Sequence, residues 1–324
     1  IKIEYKPKGR EHIMNEINRE RAILDYTSPL TYSMMMEYLQ IFCERYDFIS
    51  VVNIGKSLCG KSIPLVTLGD VHAQKSVLYV GTHHAMEWIC SVVLLRFVNE
   101  YCECIKNGSR MYTLNMKYLF SSRRIMIVPM LNPDGVDLHI GGMWEHFPLR
   151  ERVLIMNGGS SDFGSWQSNA RGVDLNHNYN ALFKEYKTLE RERNILPGPG
   201  KYSGEYPESE PETGALCSLL RFDDSIKLLL TFHSQGEEIF YGGDAAPDKS
   251  KALGKTIAKM CSYKLSETED TASYGGLTDW YVREIGNPAF TLECGRGKNP
   301  LPLSDYFRIY IGLRELLFSA CTLI

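Results

Sequence analysis

The side chains with most chemistry to offer in this chain are His84, Glu87, His233 and Glu293. His84 and Glu87 stand three apart in His83-His84-Ala85-Met86-Glu87-Trp88, and on a helical turn positions i and i+3 share a face. An imidazole nitrogen and a carboxylate oxygen are a natural ligand pair for Zn²⁺, which needs a third protein ligand and an open position to be catalytic. His233 is the candidate for that third ligand, and Glu293 is then a further, free carboxylate. His83, four residues before Glu87, is the rival to His84. Each residue alone has an ordinary explanation, such as a core histidine or a solvated glutamate ending a strand. Position sets the four apart, since each closely follows an apolar run. Two histidines, a glutamate and a second carboxylate have the parts for metal-assisted hydrolysis. A bound zinc polarises a carbonyl and acidifies a water, and the free carboxylate moves the proton to the leaving amine.

The elements that must position these groups are legible as runs. Ser76 to Gly81, Arg124 to Leu131, Ile226 to Phe232 and Pro288 to Leu292 read as buried strands. Phe48 to Leu68 reads as two more, joined by turns at Gly55-Lys56-Ser57 and Cys59-Gly60-Lys61. Helical patterns cover Thr31 to Tyr46, Trp88 to Ile105, Lys249 to Cys261, and Ser304 or Asp305 to about Ala320. Thr27-Ser28-Pro29 reads as a helix start, and Ser209-Glu210-Pro211-Glu212 as a capping box opening a helix to about Phe222. Asn132-Pro133-Asp134-Gly135 is dense turn chemistry, and glycine-punctuated loops follow it to about Asn169. Apolar strands alternating with amphipathic helices predict an α/β fold whose sheet is covered on both faces. Ligands bind outside the carboxyl ends of the strands in such sheets, which is where the four side chains fall. Residues 1–324 are expected to form one domain, with 1–30 as a short polar extension.

With 324 residues, 44% of them hydrophobic, the chain can bury a large core. A net charge of −3 gives no electrostatic case for nucleic acid or an anionic membrane. No apolar run approaches the ~18 residues that span a bilayer. The nine cysteines include no CxxC pair, and they read as buried thiols of a reducing compartment. With no signal core in Ile1-Lys2-Ile3-Glu4-Tyr5-Lys6, a cytoplasmic location is expected, the alternative being the cell wall or secretion. Nothing in the sequence bears on oligomeric state.

His84-x-x-Glu87-Trp88, Asn132-Pro133-Asp134-Gly135, Gly172-Val173-Asp174-Leu175-Asn176, Ser234 after His233, and Glu293 occur in the order found in zinc metallocarboxypeptidases. The resemblance spans about residues 50–320 and implies a mixed central sheet flanked by helices. It implies His84, Glu87 and His233 as ligands of one Zn²⁺, Glu293 as general base, and Asp174 as the carboxylate that orients His84. Arg171, in Trp166-x-x-Asn169-x-Arg171, resembles the arginine that steadies the oxyanion.

The departures from that pattern concern substrate. Digestive carboxypeptidases have Asn-Arg-Asn where this chain has Asn176-His177-Asn178, and their arginine clamps a terminal carboxylate. Histidine has no planar fork, so no bidentate clamp forms there. The family's mobile tyrosine lies a few residues before a Gly-Gly pair. Here Tyr274 abuts Gly275-Gly276, and Thr271 stands nearer the expected place.

A narrower resemblance lies in Arg171 to Asn176, Pro207-x-Ser209-Glu210-Pro211-Glu212-Thr213, His233-Ser234-Gln235-Gly236-Glu237-Glu238 and Glu293-x-Gly295-Arg296-Gly297-x-Asn299-Pro300. These segments resemble the bacterial γ-D-glutamyl-meso-diaminopimelate peptidases. That branch implies a peptidoglycan-derived peptide as substrate, with Asn176, His177, Arg296, Tyr274 and Thr278 as candidates for contact. Glu237 and Glu238 either meet an amine or face solvent. The competing functions are an ordinary carboxypeptidase, a small-molecule amide deacylase, and a metal-free binding module.

Overall fold

The computed structural model describes residues 24, 27–142, 147–242, 245–267 and 274–324. The extension expected over residues 1–30 lies largely outside them, as does Thr271. The strands in chain order are β1 Ser50–Lys56, β2 Ser62–Gly69, β3 Ser76–Gly81, β4 Arg110–Met111, β5 Leu114–Asn115, β6 Arg124–Val128, β7 Ile226–His233, β8 Glu238–Tyr241, β9 Lys264–Glu267 and β10 Ala289–Glu293. The helices are α1 Tyr32–Arg45, α2 Ile89–Lys106, α3 Met116–Ser122, α4 Pro133–Gly141, α5 Arg150–Met156, α6 Phe183–Glu192, α7 Pro211–Phe222, α8 Lys249–Cys261, α9 Leu277–Glu284 and α10 Tyr306–Ser319.

Eight strands form one sheet in the order β1-β2-β6-β3-β7-β10-β8-β9, and β4 and β5 make a separate hairpin. The central strands β6, β3, β7 and β10 run parallel, whereas β1 against β2, β2 against β6, and β10 against β8 are antiparallel. The sheet is therefore mixed, as the resemblance implies.

Every residue of β3 is buried, which follows from the two faces it must serve. Successive side chains alternate sides. Val77 and Tyr79 enter one core with Phe97 of α2 and Phe318 of α10, and Leu78 and Val80 enter the other with Leu175, Leu216 and Trp280. β7 divides in the same way, with Leu228, Leu230 and Phe232 on the first side and Leu229 on the second.

Three helix starts differ from expectation. Thr31, rather than Thr27-Ser28-Pro29, caps α1, its hydroxyl accepting from the Met34 N–H at 3.3 Å. Asn132-Pro133-Asp134-Gly135 is the first turn of α4. Asn132 Oδ1 accepts from the Gly135 N–H at 3.0 Å, and Pro133 sits where a missing donor is tolerated. The capping box at Ser209 does not form. Glu210 is the residue before α7 and caps nothing with its side chain, while the Ser209 hydroxyl donates to Glu210 Oε1 at 2.9 Å.

Candidate metal centre

The site is assembled where parallel strands end side by side. β3 stops at Gly81, a position whose tightness is specific: a Cβ there would lie 2.7 Å from the Pro129 carbonyl oxygen. Thr82 follows with φ of 57°, its hydroxyl 2.7 Å from that of Ser91, which donates in turn to the Pro129 carbonyl at 2.7 Å. A short 3₁₀ turn, Ala85–Glu87, then leads into α2. The Ala85 N–H donates to the Gln167 carbonyl at 2.9 Å, and Asn132 Nδ2 donates to the His83 carbonyl at 2.9 Å. The chain leaving β3 is thus anchored from two other loops.

His233 ends β7, and Glu293 ends β10 as its register partner in the parallel ladder. Nδ1 of His84 lies 3.0 Å from Glu87 Oε1, Nδ1 of His233 lies 3.1 Å from Glu87 Oε2, and the two Nδ1 atoms are 3.3 Å apart. One ligand atom from each of these three residues lies within 4.8 Å of the others. Zn–N and Zn–O bonds of about 2.0–2.2 Å in a tetrahedron put neighbouring ligand atoms about 3.3 Å apart, so the donor set fits that ion. His84 turns its other nitrogen, Nε2, to Asp174 Oδ1 at 3.2 Å. Metal-bound imidazoles ordinarily have an outer acceptor of this kind, a carboxylate, a carbonyl or a water.

Asp174 is itself held from several sides. Its Oδ2 accepts from Gln167 Nε2 at 2.7 Å and from the Lys201 N–H at 3.0 Å. Burial alone would raise its carboxyl, but His84 and His177 outweigh that and hold it far below the usual carboxylate range. Glu87 behaves alike: burial raises it, while His84 and His233 bring it down to about 2. Glu293 goes the other way. Burial is the largest cause, reinforced by Glu87 and Glu238, and its carboxyl is pushed up to about 7. One carboxylate stays ionised to bind a cation, and the other can hold a proton near neutrality.

His83 is not part of the ligand set. It is buried, with Nε2 3.0 Å from the Tyr179 hydroxyl.

Arg171 is half exposed and reaches Glu210 Oε1 at 3.4 Å. Asn176 Oδ1 accepts from the Leu277 N–H at 3.2 Å, which leaves its amide hydrogens as donors. His177 donates from Nδ1 to the Tyr274 carbonyl at 2.7 Å and stacks on Tyr186 with ring centroids 4.1 Å apart. Its Nε2 is therefore an acceptor while the ring is neutral. Thr278 is buried, its hydroxyl 2.7 Å from that of Thr291. Thr291 lies two residues before Glu293 and so on the same face of β10. Arg296 stands apart from these, bonded through Nε to Glu237 at 2.5 Å, with Arg308 3.1 Å from the same carboxylate. Glu238 pairs with Lys264 at 2.7 Å. Of the two acidic residues, Glu237 and Glu238, both thus have cations of this chain as partners.

Three contributors had no role in the sequence reading. Gln167 is one of the unspecified positions of the Trp166-x-x-Asn169 motif, yet it supports both Asp174 and the chain around Ala85. Asn299, within a quoted motif, donates through Nδ2 to Glu87 Oε1 at 3.2 Å and accepts from the Ser234 hydroxyl at 2.8 Å. Tyr179 holds His83.

The sequence model of the zinc carboxypeptidases, Peptidase_M14, matches residues 35–309. The chain belongs to that family. It is a zinc metallopeptidase, a hydrolase of peptide bonds. Over 281 residues it is 34% identical to γ-D-glutamyl-L-diamino acid endopeptidase 1 of Lysinibacillus sphaericus, across 86% of this chain and 69% of that protein. Among solved structures, bovine thrombin-activatable fibrinolysis inhibitor aligns with a TM-score of 0.66 and 21% identity, covering 92% of this chain and 97% of the other. The murein-tripeptide amidase MpaA of Escherichia coli O157 aligns with a TM-score of 0.53 and 21% identity, covering 83% and 92%. Both structural likenesses reflect the zinc carboxypeptidase fold. Among the described residues no helix is long and apolar enough to cross a membrane.

Proposed function

We propose that this zinc carboxypeptidase-family enzyme hydrolyses the γ-D-glutamyl to diamino-acid amide bond of peptidoglycan stem peptides. The observation that carries the choice of substrate is at His177. Where a carboxypeptidase has an arginine fork, this chain has a ring whose Nδ1–H is committed to the Tyr274 carbonyl. When uncharged, the ring offers one acceptor, suited to a substrate amine, and Asn176 offers amide donors, suited to a substrate carboxylate. A diamino acid beside the α-carboxylate of D-Glu supplies both. The 34% identity to the L. sphaericus endopeptidase supports the same reading.

In the chemistry we assign, His84, Glu87 and His233 hold the metal, and Asp174 keeps His84 turned toward it. Zinc, when bound, supplies the Lewis acid for the scissile carbonyl and for the attacking water. Glu293 takes the proton of that water and returns it to the leaving amine, a shuttle that its value of about 7 suits. Arg171 meets the negative charge that develops on the carbonyl oxygen; such a preorganised cation is worth on the order of a hundredfold in rate. A cytoplasmic setting goes with this function, supported by nine free thiols of which seven are buried.

The test is incubation with L-Ala-γ-D-Glu-meso-diaminopimelate, reading products by mass with and without a chelator. Cleavage on the carboxyl side of D-Glu, abolished by the chelator and slowed about 10²–10⁴-fold in Glu293→Gln, is expected. Release of only a terminal D-Ala from the corresponding tetrapeptide would reject the substrate while leaving the peptidase intact.

A further inference from the structure

The two ligand imidazoles are treated differently on their outer sides. His84 Nε2 meets Asp174, as described. His233 Nε2 is buried and has no hydrogen-bond partner among the described residues. A histidine that binds metal through Nδ1 carries its proton on Nε2, and that N–H normally finds an acceptor which fixes the ring. One other buried ring nitrogen in this neighbourhood is likewise unpartnered among the described residues: Nδ1 of His83. The two rings are stacked, with centroids 5.2 Å apart and planes 24° from parallel. Both side chains are almost wholly inaccessible, at 0% and 1% exposure.

We propose that His83 is the positioning partner of the metal ligand His233, joined to it through one buried water at Nδ1 while its Nε2 is bonded to Tyr179. The proposal requires one proton order. His233 Nε2–H donates to the water, the water donates to the bare Nδ1 of His83, and His83 Nε2–H donates to the Tyr179 oxygen at 3.0 Å. A water with a hydrogen bond of about 2.9 Å on each side can join two nitrogens that do not bond each other directly. Buried waters are held in this way by polar groups that lack protein partners. The residue that rivals His84 in the sequence thus serves the other histidine.

This inference rests on His84, Glu87 and His233 being the zinc ligands, and its test separates the two. Metal-free protein is titrated with Zn²⁺ against a competing chelator. His83→Phe keeps the ring packing and removes both nitrogens, and it should weaken zinc binding about 10–100-fold. His83→Asn, which restores an acceptor near the Nδ1 position, should recover most of that loss, a rescue that a packing role would not show. Unchanged affinity in His83→Phe, with normal uptake by the unaltered protein, overturns the inference and leaves the metal centre standing. No stoichiometric uptake by the unaltered protein removes both. Should His83→Phe not fold, ¹⁵N spectra of the histidines in the unaltered zinc-loaded protein decide. His83 protonated at Nε2 is expected, and His83 protonated at Nδ1 overturns the proposal.

Discussion

His177 shows how one side chain can redirect a shared scaffold. Its ring is fixed by the Tyr274 carbonyl at 2.7 Å and by the face of Tyr186. An arginine at this position could keep the stacking, since guanidinium groups also lie flat on aromatic rings, and would add a fork for carboxylate. His177→Arg is therefore expected to shift the enzyme toward releasing ordinary carboxyl-terminal residues. A charge-assisted hydrogen bond of about 1.5–3 kcal/mol corresponds to a tenfold to hundredfold change in the ratio of kcat/KM for free-acid over terminal-amide substrates. Equal ratios in the two proteins would remove His177 from substrate recognition. The convergence of His84, Glu87, His233 and Glu293 was legible in the sequence because their types and spacing are rare in combination. The surroundings of His177 were not, because its partners come from Tyr274 and Tyr186, on segments that spacing alone does not bring together. Arg296 is a different case. It is a candidate for a substrate carboxylate, and in the fold it pairs with Glu237 in an exposed contact of the kind worth about 0–1 kcal/mol.

At the scale of elements, the buried strands were legible as continuous apolar runs, and the amphipathic helices by their period. The elements missed were α3, α6, α9, β4, β5, β8 and β9, along with α4 and α5 inside the segment read as turn and loop. β8 and β9 are four residues each and partly exposed, too short for a periodic signal to rise above chance. The segment carrying Tyr274 is pinned by a feature that only three dimensions disclose. Gly275 has φ of +75°, and a Cβ on it would stand 2.2 Å from the His177 carbonyl oxygen. Its N–H donates to the Ala181 carbonyl at 2.6 Å, and its carbonyl accepts from the Tyr179 N–H at 2.9 Å. Gly275→Ala would combine a strained backbone with a backbone clash, and should destabilise the protein by about 2–4 kcal/mol. Thermal unfolding measures this, and an unchanged Tm would mean that the Gly275 loop relaxes without cost.

For the molecule as a whole, stability should carry the mark of a carboxyl buried under the site. Glu212 is inaccessible, and its oxygens accept from the Leu58 N–H at 3.0 Å and Asn169 Nδ2 at 3.4 Å. Burial is the main reason that its carboxyl rises from 4.5 to about 8, with Asp134 and Glu210 adding to it. Between those values the folded state holds a proton that the unfolded chain has released, so stability falls as pH rises through this window. The full effect is on the order of 4–5 kcal/mol by pH 8. Denaturant unfolding from pH 5 to pH 8 should show that slope in the unaltered protein and a flatter one in Glu212→Gln. Identical slopes would mean that Glu212 is ionised in the fold. The sequence placed Glu212 in a capping box that opens a helix, and nothing in Ser209-Glu210-Pro211-Glu212 reveals that α7 begins inside the molecule.

His233, Glu293 and Glu238 lie on one rung of the sheet, across β7, β10 and β8. The gap between His233 and Glu293 is accordingly a strand spacing, fixed by main-chain hydrogen bonds rather than by side-chain fit. Loops beyond those strand ends can lengthen, shorten or change charge without altering that gap. Selection can therefore rewrite which bond is presented to the catalyst while the catalyst itself stays constant, and a laboratory seeking new specificities has the same freedom.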